Sequence, residues 1–170
     1  MQVKTLKLLW QCLTVELREN YMWKSKLIVL LFRCANYLAN KPKCTWIITF
    51  PFFIFYILIV EWLLGIEIPI KTAIGKGLKI YHGVGLVING YSKIGENFTV
   101  RHCVTIGNKV LNDGSLSNSP VIGNNVELGA SACIIGGITI GDNVKVGAGT
   151  VINKNIADNI TVVGKGFREI

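Results

Sequence analysis

At 170 residues the chain has room for one domain, or for one domain with a small helical appendage, and two large domains are excluded. A hydrophobic share of 51% against a charged share of 16% excludes a disordered chain, which needs the opposite balance. The excess of 18 Lys and Arg over 10 Asp and Glu is concentrated, since Met1–Lys43 carries eight bases and two acids, +6 of the net +8.

Leu6, Leu9, Trp10, Leu13 and Leu17 recur at helical spacing and predict an amphipathic helix over residues 3–19, with these side chains as its apolar face. A second helix is expected from Ser25 to Leu38. After Lys41-Pro42-Lys43 comes Cys44–Val60, a run without a single charge, ended by Glu61 and interrupted by Pro51. Its length sits at the lower edge of a bilayer span. Three readings follow: a span, a helix lying in the membrane interface anchored by Trp46, Tyr56 and Trp62, or a helix buried against a partner subunit.

A basic segment running into an apolar one points to the anionic inner face of a membrane, so peripheral contact through residues 1–64 is expected, against the alternative of two solvated helix faces. No nucleic-acid signature accompanies the charge, and no nucleic-acid partner is expected. Met1–Glu19 mixes charges into its apolar positions and does not read as a secretory signal, so a cytoplasmic protein is expected. The five cysteines, Cys12, Cys34, Cys44, Cys103 and Cys133, are odd in number and widely spaced, and read as reduced, mostly buried thiols. With two histidines and scattered cysteines, no metal site is expected.

From Ile68 onward aliphatic residues recur every six positions: Ile68, Ile74, Ile80, Leu86, Phe98, Val104, Ile122, Leu128, Ile134, Ile140, Val146 and Ile152, with Ser92 as the exception. A second grid four residues later holds Leu78, Val84, Val126, Ala132, Ile138, Val144, Thr150 and Ile156. Neither a helix nor a simple strand has a period of six, whereas short strands joined by bends and stacked into a parallel solenoid do. Between Val104 and Ile122 the grid is interrupted by a stretch rich in Asn, Ser and Gly, read as an extruded loop over about residues 107–120. A coil of three hexads would set the hexads of Ile80 and Phe98 on one face. His82 and His102 then become near neighbours, about 4.8 Å apart in strand spacing.

The stretches Ile-Gly-Asn-Asn-Val-Glu-Leu-Gly-Ala (122–130) and Ile-Gly-Asp-Asn-Val-Lys-Val-Gly-Ala-Gly-Thr-Val (140–151) resemble the hexapeptide-repeat acyltransferases. The resemblance covers residues 67–164 and divides the chain into a helical segment 1–66, the repeat domain 67–164 and a tail 165–170. It implies a mainly β fold, a left-handed parallel β-helix, working as a homotrimer with acetyl-CoA as co-substrate. Glu67-Ile68-Pro69 and Ile80-Tyr81-His82-Gly83 look like the serine acetyltransferase branch. Leu63–Pro69, Arg101–Lys109 and Ser119-Pro120 are more similar to the colanic-acid and capsular-polysaccharide O-acetyltransferases.

Acyl transfer from a thioester to a hydroxyl needs a base, and imidazole suits that task. The resemblance gives His82 that role and Glu67, earlier in the chain, the place of the carboxylate that orients it, although the serine acetyltransferases carry aspartate there. His102 is expected either to face the prism interior or to line the subunit groove and assist the acceptor, with Arg101 as an auxiliary. The resemblance further implies that Gly129, Ala130, Gly147 and Ala148 leave room for the donor's pantetheine arm and that Lys165 meets its phosphates. The acceptor expected is a sugar or polysaccharide hydroxyl, lipid-linked at the membrane, because the serine acetyltransferases' second histidine before the loop proline is replaced by Ser119. Serine O-acetylation and a non-catalytic β-helix scaffold are the alternatives.

Overall fold

A computed structural model describes residues 2–164; Lys165 lies outside the described residues. The N-terminal segment forms helices α1 (Leu6–Glu19), α2 (Trp23–Ala39) and α3 (Trp46–Tyr56), the last continuing as a π-helix over Ile57–Leu63. Pro51 does not end this helix, which runs through it. The rest is a parallel solenoid of short strands in three sheets.

One sheet stacks β1 (Ala73–Ile74), β4 (Lys93–Ile94), β7 (Val121–Ile122) and β10 (Thr139–Ile140). The second stacks β2 (Lys79–Tyr81), β5 (Thr99–Arg101), β8 (Glu127–Leu128), β11 (Lys145–Val146) and β13 (Thr161–Val162). The third stacks β3 (Val87–Ile88), β6 (Thr105–Gly107), β9 (Cys133–Ile135) and β12 (Val151–Ile152). Each strand from β1 to β12 places one aliphatic residue inward, and the residue two positions earlier is buried at the corner, as in the pairs Leu78/Ile80 and Val126/Leu128. That pairing is the physical content of the six-residue grid.

The register corrects the expected stacking. Ile80 pairs with Val100, not Phe98, because the turn His82–Leu86 carries two residues beyond a regular hexad and lengthens its coil by the same amount. Leu86, Phe98 and Val104 are therefore corner residues rather than strand residues, while Val84 bulges out of the grid at 50% exposure. The hairpin loop then lengthens the next coil, and Ile106 pairs with Ile134. Within that loop Val110 bridges Leu116, and Asp113 accepts hydrogen bonds from the Ser115 amide and hydroxyl.

An open solenoid end exposes unpaired strand backbone, which must be covered. Here polar side chains from the helices do so. The Arg33 guanidinium donates to Ile74 O and Gly75 O and forms a two-pronged pair with Glu16, whose carboxylate also accepts from the Gly77 and Leu78 amides. Both side chains are fully buried. Asn20 accepts from Ile80 N and donates to Leu78 O, taking the place of a neighbouring strand, and Asn36 donates to Ile70 O and Thr72 O.

This need rotates α1 away from the expected face, of which Leu9 stays buried and Leu13 and Leu17 half-buried. Leu9, Cys12 and Glu16 are buried, whereas Leu6 and Trp10, expected inward, are 67% and 69% exposed. Delivering one carboxylate to the solenoid end fixes the helix rotation more firmly than burying two more apolar side chains. The thiols are also less buried than expected, since Cys44 and Cys103 are exposed.

Candidate active site

The corner between the second and third sheets carries both histidines. His82 follows β2 in a left-handed conformation (φ 67°), and the chain then turns through Gly83 and Gly85, also at positive φ. Gly83 is buried, and a β-carbon there would come within 2.9 Å of Ile66 and Ile80, so only glycine lets the turn lie flat against the first coil. Backbone bonds from Gly85 N to Gly65 O and from Cys103 N to Val84 O hold the turn between the coils on either side.

Tyr81 pairs with Arg101, and the residues that follow, His82 in the lengthened turn and His102 on the next coil, bring their rings together edge to face. Their ring centroids lie 5.9 Å apart with the planes at 79°. Neither is buried, so the interior orientation considered for His102 does not occur. The same register continues to β8 and β11, and two columns result. One runs Tyr81, Arg101, Gly129, Gly147, and the other His82, His102, Ala130, Ala148. Two bulky steps give way to two small ones, and the step is a trough.

Gly129, Ala130, Gly147 and Ala148 line that trough, a cleft of about 430 Å³ bounded by Arg101, Glu127, Lys145 and Thr161. The structure therefore brings the four residues expected at the donor together, directly beyond His102. Arg101 is already engaged, 5.0 Å above the Tyr81 ring and 3.5 Å from the Glu127 carboxylate.

Glu67 sits on the third-sheet side of the same corner. Its backbone is bridged to β3, with Glu67 N donating to Leu86 O and Glu67 O accepting from Ile88 N. Its side chain is exposed, and among the described residues no hydrogen bond joins it to His82. A second carboxylate, Glu61 on the π-helix, is close enough to feel its charge: burial first, and then Glu67, pushes the Glu61 carboxyl above the usual carboxylate range. In the sequence Glu61 marks only the end of an apolar run, and the i+6 spacing across a π-helix and a bend offers no recognisable signal.

A second cleft of about 550 Å³ lies at the base of the loop, between Tyr91, Lys93, Asn108 and Ser117–Ser119. Ser119 donates to Asn89, which in turn donates to Asn108, so the loop is tied to the neighbouring corner. Among the described residues no group of three His, Cys, Asp or Glu side chains is placed to hold a metal.

A solenoid of hexads with paired imidazoles heading a glycine and alanine trough defines a class. Residues 119–154 match the family "Bacterial transferase hexapeptide (six repeats)". The "Putative colanic acid biosynthesis acetyltransferase WcaB" of Escherichia coli is 40% identical over 146 residues, covering 83% of this chain and 87% of that protein. A Helicobacter pylori serine acetyltransferase is 38% identical over 110 residues, 65% of this chain and 63% of that one. Among solved structures, the serine acetyltransferase isoform 3 of Entamoeba histolytica, solved with cysteine, superposes with a TM-score of 0.72 at 26% identity. That match covers 96% of this chain, which spans 59% of the Entamoeba chain. The chain belongs to the hexapeptide-repeat acyltransferases; its solenoid is a left-handed parallel β-helix, and it is an acyltransferase of the acetyl-CoA-dependent class.

Proposed function

We propose that this chain, as a homotrimer, moves an acetyl group from acetyl-CoA to a sugar hydroxyl during exopolysaccharide or capsule biosynthesis, on the cytoplasmic side of the membrane. The observation that carries the chemistry is the column His82, His102, Ala130, Ala148. A pantetheine arm laid along the small residues points its thioester toward the imidazoles. His82 accepts the hydroxyl proton as the oxygen attacks the thioester carbonyl carbon. The tetrahedral oxyanion, held by backbone N–H groups, collapses by breaking the C–S bond, and the imidazolium returns the proton to the leaving thiolate. Glu67, on the first coil beside β3, is the carboxylate that orients His82, its extra methylene adding reach. His102, one coil nearer the trough, positions the acceptor, and Lys165 contacts the donor phosphates.

The sugar acceptor is supported by extent of similarity. The likeness to WcaB covers 83% of this chain, whereas that to the Helicobacter enzyme covers 65%. Serine O-acetylation is the second reading, favoured by the superposition on the Entamoeba enzyme. Against it, Arg101, the nearby cation for an amino-acid carboxylate, is partnered by Glu127 and Tyr81. A scaffold without catalysis leaves the paired histidines unexplained.

Thiol release from acetyl-CoA by the purified protein, with L-serine and with lipid-linked or free oligosaccharides, decides among these. Turnover on sugar that His82→Ala abolishes supports the proposal. Turnover on serine alone replaces it with the second reading, and acceptor-dependent release unchanged in His82→Ala removes His82 as base.

A further inference from the structure

α3 and the π-helix that extends it are apolar on nearly every side, yet only one stripe, Phe53, Tyr56 and Val60, is buried toward the protein. The Tyr56 hydroxyl donates to Ile68 O, which pins this stripe lengthwise to the first coil. The opposite face is left in the open: Ile47 and Ile48 are 86% and 83% exposed, and Trp62 and Leu63 are 77% and 72% exposed. Within Trp46–Leu63 no residue besides that stripe is buried. Soluble surfaces rarely leave so continuous an apolar face uncovered.

What surrounds the start of this helix identifies the occupant. Gln2 donates to Lys71 O, and the Lys71 ammonium stands 5.1 Å over the Trp46 ring. Val3 N donates to Asn36, and just past the end of α2 the Lys41 ammonium lies 4.1 Å over Tyr37. Lys71 thus stands at the head of the exposed face, Lys41 follows α2 just before it, and the chain at Lys4 is tied alongside through Gln2 and Val3. The two opposite charges of α1 are already used, Glu16 by Arg33 and Glu19 by Lys79. A second protein subunit would match the apolar face, but it would have to supply acids to match its collar. An anionic bilayer surface offers both at once, with the exposed Trp62 at one end of the helix and the Lys71-capped Trp46 at the other.

We propose that the outer face of Trp46–Leu63 lies flat in the headgroup region of an anionic membrane, with the lysine collar on the lipid phosphates and the β-helix standing in the aqueous phase. A span is not compatible with the buried stripe, because crossing the bilayer would strip Phe53, Tyr56 and Val60 from the core they share with α2 and the first coil. This inference does not depend on the acceptor, and it holds or fails separately from the acetyl-transfer reading.

The test is flotation of the full-length protein with vesicles of phosphatidylcholine alone and of phosphatidylcholine with phosphatidylglycerol. Binding to the anionic vesicles that falls roughly tenfold or more between low and high salt is expected, since exposed charges are screened. Ile48→Ser with Trp62→Ser should weaken it by a similar factor, and Lys71→Glu, which leaves the apolar face intact, should abolish the preference for phosphatidylglycerol. Release by alkaline carbonate is expected. Resistance to carbonate would replace this arrangement with a span. Failure of the intact protein to float, or unchanged flotation of the Ile48→Ser/Trp62→Ser variant with a smaller assembly on sizing, would overturn the proposal in favour of a subunit interface.

Discussion

His82 and His102 stand one coil apart with ring centroids 5.9 Å from each other, and a coil longer than three regular hexads brings them into register. The two extra residues of the His82–Leu86 turn both expose His82 and shift the next coil so that His102 lies over it. Loss of the base should cost about 10²–10⁴-fold in kcat. His82→Ala is expected to fall in that range with unchanged Tm, whereas His102→Ala should chiefly raise the acceptor KM. Steady-state kinetics on both variants separate the roles, and equal kcat losses would mean the pair acts as one unit.

Filling the trough should exclude the donor without disturbing the coil. Ala148 is exposed, so Ala148→Leu adds bulk to the cleft rather than to the core. A rise of about tenfold or more in the acetyl-CoA KM is expected, roughly the 1–3 kcal/mol that a misfitted apolar contact is worth. An unchanged KM would place the donor elsewhere.

One corner is held by an asparagine ladder, in which Asn97, Asn125, Asn143 and Asn159, all at positive φ, pass side-chain hydrogen bonds of 2.9 Å from coil to coil. Asn125→Ala loses two of these bonds and keeps the left-handed backbone strain, for an expected loss of about 2–3 kcal/mol. Asn125→Gly loses the bonds and relieves the strain, so denaturant titration should find it the milder variant. The reverse order would mean that left-handed strain contributes little at this corner.

The Glu16–Arg33 pair joins the helices to the open solenoid end, so removing either partner leaves a buried charge and unpaired strand backbone. Arg33→Ala is expected to cost about 3–5 kcal/mol. Arg33→Lys should recover little, since a single ammonium cannot make the fork that reaches Glu16, Ile74 and Gly75 together. Thermal unfolding followed by circular dichroism would show this as separate loss of the helical signal.

Glu61 gives a pH dependence of definite sign. Its carboxyl is held above the ordinary range by burial and by Glu67, so the folded state disfavours its ionisation more than the unfolded chain does. Stability is therefore lost as pH rises from the ordinary carboxylate pKa through the raised one, and Glu61→Gln should raise Tm at neutral pH while changing little in acid. Glu67→Gln should bring part of the same gain.

Much of the solenoid was legible in the residues themselves. The hexad period and the extruded loop follow from side chains that alternate between a buried line and a bend, a local rule repeated along the chain, whereas the grouping of Gly129, Ala130, Gly147 and Ala148 comes from the resemblance to the hexapeptide-repeat acyltransferases. The exact register was not, because Leu86, Phe98 and Val104 keep the six-residue spacing while moving from strand to corner positions. The period survives a two-residue insertion, and only backbone pairing detects it. Nor was the rotation of α1 legible, since Leu6 and Trp10 signal an inward face by hydrophobicity alone. Residue pattern alone carries the class of fold, the neighbourhood of the two histidines and the apolar character of residues 44–64. Tertiary structure decided how the histidine-bearing coils align, which face of each helix turns inward, and that Glu16 and Arg33 are core residues. The physical reason is that unpaired backbone at a solenoid end demands hydrogen-bond partners at fixed points in space, a demand that no local pattern in the chain announces.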